Sequence, residues 1–290
     1  MNYSPIIIIG AGRSGTNMLR DMLTAFPGVG TWPCDEINYI WRHGNARYAT
    51  DEFPPELARP RVRAYIRRAF DRLAARRGLS HVVEKTCANS LRVQFVRAVV
   101  PEARFIHIVR DGRDVAVSAV QRWTAELDLR YVLRKARFVP PADLPYYAGR
   151  YLWNRIYRIV TRGERLAFWG PRFVGMEEAL EEHPLPVACA IQWKRCVQGA
   201  SRDLRLIDPA RVFEVRYEDF VHRPAEHVQR VLSFLRLRAS DAQIGRAIEA
   251  VSTRSVGRWK KRLDKDLAGR VERVAGDTLR RLGYLSKAAA

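Results

Sequence analysis

The chain has little cysteine: four residues in 290, Cys34, Cys87, Cys189 and Cys196, with no Cys-x-x-Cys pair and no histidines spaced to complete a zinc site. A disulfide framework and a structural zinc are thereby excluded, no metal site is expected, and the thiols are expected to be reduced and structural. Long apolar runs are also missing. The first covers only residues 5–9, far short of the roughly 18–20 residues that span a bilayer, and no basic leader with a cleavage site precedes it. The expected location is the cytoplasm. No linker-like stretch divides the sequence, so residues 1–290 are expected to form one domain, and a hydrophobic content of 47% suffices for its core. Acidic residues are outnumbered, 31 against 51 lysines and arginines, for a net charge of +20. Such a surface attracts polyanions, anionic lipid or anionic small molecules. Without a nucleic-acid-reading module, nucleic acid is not an expected partner, whereas peripheral contact with a membrane stays open. Lysine is the scarce cation: 44 of the 51 are arginine, a bias that GC-rich codon usage explains as well as selection for anion binding does.

What the sequence does have is a strand that runs into a glycine-rich turn, Ile6-Ile7-Ile8-Ile9-Gly10-Ala11-Gly12-Arg13-Ser14-Gly15-Thr16-Asn17, with an amphipathic helix expected to begin near Ser14. Glycines let a backbone turn tightly and converge its N–H groups, and a helix N-terminus adds roughly half a positive charge. The expected guest is a phosphate or sulfate. Two uses of such a turn fit poorly. A magnesium-nucleotide loop needs Lys and then Ser or Thr after its second glycine, and Thr16 and Asn17 stand there instead. A dinucleotide fingerprint fits Gly10-x-Gly12-x-x-Gly15 literally, with Asp35 or Glu36 about where a ribose-binding acid belongs. Against it, the glycine and proline of residues 29–34 make a poor central strand, and Arg13 puts a full cation where backbone alone should suffice.

Gly10-x-x-Arg13-Ser14-Gly15-Thr16-x-x-Leu19 resembles the 5′-phosphosulfate loop of the sulfotransferases that use 3′-phosphoadenosine 5′-phosphosulfate (PAPS) and release the bisphosphate PAP. The segment from Arg104 to Ser118 resembles the same family's 3′-phosphate motif, a strand followed by an arginine and, eight residues later, a serine. By that resemblance Gly12, Arg13, Ser14, Gly15, Thr16 and Asn17 bind the 5′ end of the donor, and Arg110 and Ser118 bind its 3′-phosphate. The geometry is sensible without the family: Arg110 ends a strand and Ser118 lies two helical turns into the next element, so both can face one phosphate. A third segment, Ser252-Thr253-Arg254-Ser255-Val256-Gly257-Arg258-Trp259-Lys260-Lys261, resembles the family's closing loop. It implies nucleotide contacts from Arg258, Trp259 and Lys260, although plain packing would also account for Trp259. The resemblance spans roughly 5–123 and 185–262. It implies an α/β fold, a P-loop-NTPase-like three-layer sandwich with a central parallel sheet and a helical insertion, closer to the Golgi-type and bacterial branch than to the cytosolic one. Golgi members carry an N-terminal anchor, and its absence here implies a prokaryotic enzyme or a shortened chain.

Four β-branched runs, Pro5–Ile9, His81–Val83, Phe105–Val109 and Val212–Val215, each lead into helical periodicity, the alternation of a parallel sheet covered on both faces. Val62, Tyr65, Ile66, Ala69, Phe70 and Leu73 mark the inner face of one helix. Its other face carries Arg61, Arg63, Arg67, Arg68, Arg72, Arg76 and Arg77, either a solvated surface or a docking surface for an anionic partner. Val228, Val231, Leu232 and Leu235 mark another helix, after Arg216-Tyr217-Glu218-Asp219, where Glu218 or Asp219 suits a turn cap. Residues 124–180 break the alternation and interleave aromatics with arginines. They are expected to form a helical lid over the acceptor site or a helical subdomain that packs its aromatics inward, with Trp193 beyond them in the core.

For sulfuryl transfer the protein must supply position, charge stabilisation and a base, and no metal is needed. Arg13 is assigned to the 5′-phosphate; Lys85, in Val83-Glu84-Lys85-Thr86, resembles a lysine that reaches the sulfuryl group in the Golgi tyrosylprotein branch and is assigned to the bridging oxygen of the leaving group, while Glu84 is expected to form a structural ion pair. Cytosolic members carry a histidine two residues after a lysine, and Cys87 stands there instead. His107, with isoleucine on both sides, reads as a satisfied core residue. The Golgi-type branch uses a glutamate shortly after the first helix, where Asp35-Glu36 stands, beyond a Phe26-Pro27 that resembles the family's His-Pro. Glu36 is preferred as the base, because Asp35 is the better N-cap for a helix over 36–43. Three readings remain: a PAPS-dependent sulfotransferase acting on a hydroxyl of a glycan, glycolipid or tyrosine, acidic and lipid-linked acceptors included; an NAD(P)-dependent oxidoreductase on the glycine turn; and a non-catalytic polyanion binder. No motif identifies the acceptor or the oligomeric state.

Overall fold

The computed structural model describes residues 3–124, 137–149, 152–153 and 169–286. Its centre is β1 (Ser4–Ile9), whose four isoleucines are buried on both sides, as an unbroken β-branched run requires. β2 (Val29–Gly30), β3 (His81–Lys85), β4 (Arg104–Val109) and β5 (Val212–Arg216) complete a five-stranded sheet in the order β2-β3-β1-β4-β5. All pairings are parallel, with Ile6 opposite Val83 on one side and Arg104 on the other. The four expected runs are all strands. β2 is added at the edge, and it stops after two residues, where glycine and the nearby Pro33 weaken strand pairing.

Among the helices are α1 (Thr16–Thr24), α2 (Asn38–Trp41), α3 (Pro60–Arg77), α4 (Val93–Val99), α5 (Gly112–Trp123), α6 (Met176–Glu182), α7 (Leu185–Leu204), α8 (Tyr217–His222), α9 (Pro224–Leu235), α10 (Asp241–Ile248), α11 (Trp259–Arg262) and α12 (Lys265–Arg281). Because side chains alternate across a strand, Ile7 and Ile9 pack with Val62, Ile66 and Phe70 of α3 and with Phe95 and Val99 of α4. Ile6 and Ile8 pack on the opposite face with Leu19 and Leu23 of α1 and with Val228 and Val231 of α9. The result is the expected three-layer sandwich. Each isoleucine so buried contributes roughly 1.5–3 kcal/mol. Trp123, Trp193 and Val271 join α5, α7 and α12 in a third apolar cluster, so Trp193 is a core residue. Helix α3 buries the face its periodicity marks, starts on Pro60 and ends at Gly78, whose φ of 61° makes it the left-handed C-cap.

The chain leaves β1 toward β3 and leaves β4 toward β5, so the carboxyl ends of β1 and β4 form the switch point at which open α/β sheets bind ligands. The glycine turn and Arg110 both lie there. Of the segment 124–180, residues 125–136, 150–151 and 154–168 lie outside the described residues. So do many of its aromatics and arginines, Tyr131, Tyr151, Tyr157 and Phe168 among them. No helix of the described residues is long and apolar enough to cross a membrane.

Candidate functional site

The turn after β1 is built where side chains cannot fit. A Cβ on Gly10 would lie 2.8 Å from the Ile108 carbonyl oxygen of β4, and one on Gly15, at φ 92°, would overlap the Tyr217 ring. Arg13 also takes a left-handed φ of 72°, an uncommon conformation for a non-glycine residue and one that marks functional turns. Because Gly15 is the left-handed N-cap, α1 begins at Thr16, not at Ser14. The helix has no acidic residue in its first turn, so its positive end is left for a guest. Ser14 Oγ, Asn17 Oδ1 and Arg110 Nε are buried with no hydrogen-bond partner among the described residues. A buried unpaired group costs about 1–3 kcal/mol. Oxyanions in the turn and beside Arg110 would accept from the Ser14 hydroxyl and from Arg110 Nε respectively, so the residues present fit phosphate or sulfate groups.

Arg110 and Ser118 meet this turn directly. Arg110 NH1 donates to the Arg13 carbonyl at 3.0 Å, and Arg13 Nε donates to Ser118 Oγ at 3.0 Å. Burial, with Arg122 and Arg110 nearby, pulls the Arg13 guanidinium below its usual value. Arg110 is itself buried, stacked 4.3 Å over the Tyr217 ring and donating to the Ser255 carbonyl at 2.5 Å. The third segment is fastened to the same place. Asp114 accepts from the amides of Gly257 and Trp259 at 2.7 and 2.9 Å, and Tyr217 shares a hydrogen bond with Ser255 at 2.6 Å. Trp259 lies against the Arg113 guanidinium at 4.0 Å, whereas Arg258 and Lys260 are exposed. The loop is therefore joined to the anion site through its backbone and Ser255, and its cations stand at the surface. Glu218 does not cap its own helix: it accepts from the Asp111 amide at 3.0 Å and from the Tyr284 hydroxyl at 2.7 Å, tying α8 and the C-terminal segment to the base of α5.

On the other side of β1, Lys85 ends β3 with its side chain 2% exposed, and its Nζ reaches Asp35 Oδ1 at 3.1 Å and Glu36 Oε1 at 3.2 Å. Burial works against the lysine's charge, but Glu36 and Asp35 outweigh it and hold Lys85 above its usual value. Glu36 Oε1 also accepts from the Cys87 amide at 3.3 Å, and the Cys87 thiol lies 3.6 Å from Thr16 Oγ1. Cys87 thus belongs to the site, and burial pushes its thiol well above the usual range. Asp35 is not a helix cap: α2 starts at Asn38 after Ile37 with no side-chain cap, while Asp35 pairs with both Lys85 and Arg20, the latter at 3.2 Å. The ion pairs set the register of this segment where a capping bond was expected.

Comparison with known proteins gives this geometry a family. The sequence model of the sulfotransferase family matches residues 5–151 and 167–241. The chain belongs to the sulfotransferase family. No curated protein sequence matches it significantly. Among solved structures, the sulfotransferase domain from the curacin biosynthetic pathway superposes with a TM-score of 0.56 at 14% identity, covering 95% of this chain and 97% of that one. Sulfotransferase STF9 from Mycobacterium avium gives 0.51 at 12%, over 97% and 77% of the two chains. Mouse sulfotransferase SULT7A1, solved in complex with PAP, gives 0.52 at 13%, over 97% and 87%. At such identities the structures share the fold. The sheet order also separates this sulfotransferase from the dinucleotide-binding arrangement, in which the second strand lies beside the first: here β3 stands between β1 and β2.

Behind the Lys85 cluster the sulfotransferase keeps a buried polar network. Strand parity turns Glu84 away from Lys85, and Glu84 is fully buried. No ion pair among the described residues includes it. Its carboxyl accepts instead from Thr86 Oγ1 at 2.5 Å and from Asn89 Nδ2 at 2.9 Å, because the nearest cations are already committed. Asn89 Oδ1 in turn holds Arg92, which reaches Asn38 Oδ1 at 2.5 Å and Asp51 at 3.4 Å, so the network braces the residues following Glu36. Burial pushes Glu84 up to about 7, above its ordinary 4.5. The native state therefore holds a proton that the unfolded chain releases, and stability falls as pH rises from the ordinary carboxylate range toward 7, by at most roughly 3 kcal/mol. Glu84→Gln is expected to flatten that slope. Thermal unfolding of both forms at about pH 5 and about pH 8 measures it, and parallel curves for the two proteins would refute the assignment.

His107 is buried in β4 with its Nδ1 3.2 Å from Glu214 of β5, while Nε2 has no partner among the described residues; it is a core residue, satisfied at one ring nitrogen. All four cysteines are free, as expected. Asp114, Tyr217, Ser255 and Cys87 are the site residues missed from sequence. The first three lie within segments that stand out in the sequence, and the spacing Arg110-x-x-x-Asp114, one helical turn, is a further signal.

Proposed function

We propose that this sulfotransferase takes its sulfuryl group from PAPS and delivers it to a hydroxyl acceptor in the cytoplasm. One observation carries the reading: hydrogen bonds bridge the glycine turn to Arg110 and to Ser118, 97 and 105 residues apart, making one cation-lined edge from two motifs. A ligand with separated anionic groups suits such an edge. The amides around Gly12–Asn17 and the Arg13 guanidinium would hold the 5′-phosphosulfate. Arg110 and Ser118 would hold the 3′-phosphate beneath the 252–262 loop, with Trp259 and the cations of Arg258 and Lys260 at its rim.

In the reaction, Glu36 removes the acceptor hydroxyl proton as the oxygen attacks sulfur. The bond from sulfur to the 5′-phosphate oxygen breaks, and PAP leaves with the electron pair. Lys85, already in contact with Glu36, neutralises that departing oxygen together with Arg13, in place of a metal ion. The acceptor would enter beneath residues 137–149, a reading supported by Tyr147, whose ring packs edge-on 4.5 Å from Tyr39, three residues past Glu36. Incubation with radiolabelled PAPS and a panel of glycan, glycolipid and tyrosine-peptide acceptors tests the proposal. Label in one acceptor class, with PAP released in equal amount, is the expected result; PAP release without labelled acceptor from any class would remove the transfer step.

A further inference from the structure

The donor site leaves the arginines of α3 unexplained. Arg61, Arg68, Arg72 and Arg76 recur at intervals of seven, four and four residues, which places them in a row about 22 Å long on one side of the helix. All four are exposed. Among the described residues none of them makes an ion pair or a side-chain hydrogen bond, whereas Arg67 on the flank pairs with Glu102 and Arg77 donates to the Thr31 carbonyl. Asp71, the one acidic residue of the helix, is taken up by the Tyr3 hydroxyl at 2.9 Å.

Apolar groups stand beside this row. Tyr65, one turn from both Arg61 and Arg68, packs on His43 with ring centroids 3.9 Å apart, and His43 Nδ1 lies 2.8 Å from Asp143 Oδ2. The residue after Asp143 is Leu144, 44% exposed. A large apolar side chain held in water close to guanidinium groups that make no ion pair among the described residues suits a surface that offers both anionic headgroups and an acyl boundary. A soluble polyanion would use the cations and leave Leu144 wet.

We infer that the Arg61–Arg68–Arg72–Arg76 row and the adjoining Leu144 form a peripheral docking surface for an anionic lipid bilayer. This goes beyond the donor reading and does not depend on it. The test is co-sedimentation with vesicles of phosphatidylcholine alone and of an equimolar phosphatidylcholine–phosphatidylglycerol mixture, across a salt series. Binding to the mixed vesicles, weakening as salt rises, is expected, with little binding to the neutral ones. Replacing all four arginines with glutamine should lower the partition coefficient by on the order of a hundredfold or more, from about fivefold per cation. Leu144→Asn, which removes the apolar side chain without changing the charge, should reduce binding several-fold even at low salt, where a purely ionic contact would be unchanged. PAP affinity and thermal unfolding of the variants, measured alongside, show that the fold is kept. Undiminished vesicle binding by the quadruple variant would overturn the inference. So would capture by a sulfated polysaccharide with no binding to vesicles, which would assign the row to a soluble polyanion.

Discussion

Replacing Glu36 with glutamine is expected to lower kcat roughly 100- to 10,000-fold, the usual contribution of a general base, with little change in PAP affinity. Glutamine keeps the shape of the side chain and can still accept from the Cys87 amide, but it cannot take a proton at neutral pH. The fold should survive, because Lys85 retains Asp35 at 3.1 Å. Asp35→Asn is the matched control. Asp35 is shared between Lys85 and Arg20, so its loss should disturb the position of Lys85 and cost less in kcat. If Asp35→Asn carries the larger loss, the base is Asp35 and the roles of the two carboxylates exchange.

Arg110→Ala is expected to weaken PAP by roughly 1.5–3 kcal/mol, about ten- to a hundredfold in Kd, the scale of a hydrogen bond to a charged group. Two effects add here. The guanidinium that would meet the 3′-phosphate is lost, and so are the bonds from Arg110 to the carbonyls of Arg13 and Ser255 that hold the turn and the closing loop together. Arg110→Lys separates them: a lysine restores a point charge but not the two-pronged grip, so an intermediate Kd is expected. Titration calorimetry on the three proteins reads the series, and an alanine variant with wild-type affinity would remove Arg110 from the donor site.

The parts of the molecule legible in the sequence are those whose signal is local. Four consecutive isoleucines before a glycine can only be a strand buried on both faces, and they form β1. Val62, Ile66, Phe70 and Leu73 of α3 repeat with the helical period and are buried, with Tyr65 and Ala69 partly so at the edge of the same face. The glycine turn and the Arg104–Ser118 segment stand out for the same reason, since each gathers its distinctive residues within about fifteen positions, and the structure brings the two together. What escaped depends on contacts between segments far apart in the chain. Nothing near Asp114 indicates that it will hold the amides of Gly257 and Trp259, 143 and 145 residues away. Asp35 has the composition of a helix cap, and the local rule gives way to two cations brought in by α1 and β3. Glu84 beside Lys85 suggests an ion pair, yet strand parity puts the two on opposite faces, and burial leaves Glu84 to Thr86 and Asn89. The two-residue β2 carries too little periodicity to be seen at all.

The most direct test of the central claim is calorimetric titration of the purified protein with PAP in magnesium-free buffer, beside NADH and ATP. Binding of PAP alone would establish that the turn and the Arg110 motif form one donor site and would turn the remaining work into a search for the acceptor. Binding of NADH with no response to PAP would contradict the account and return the glycine turn to a dinucleotide.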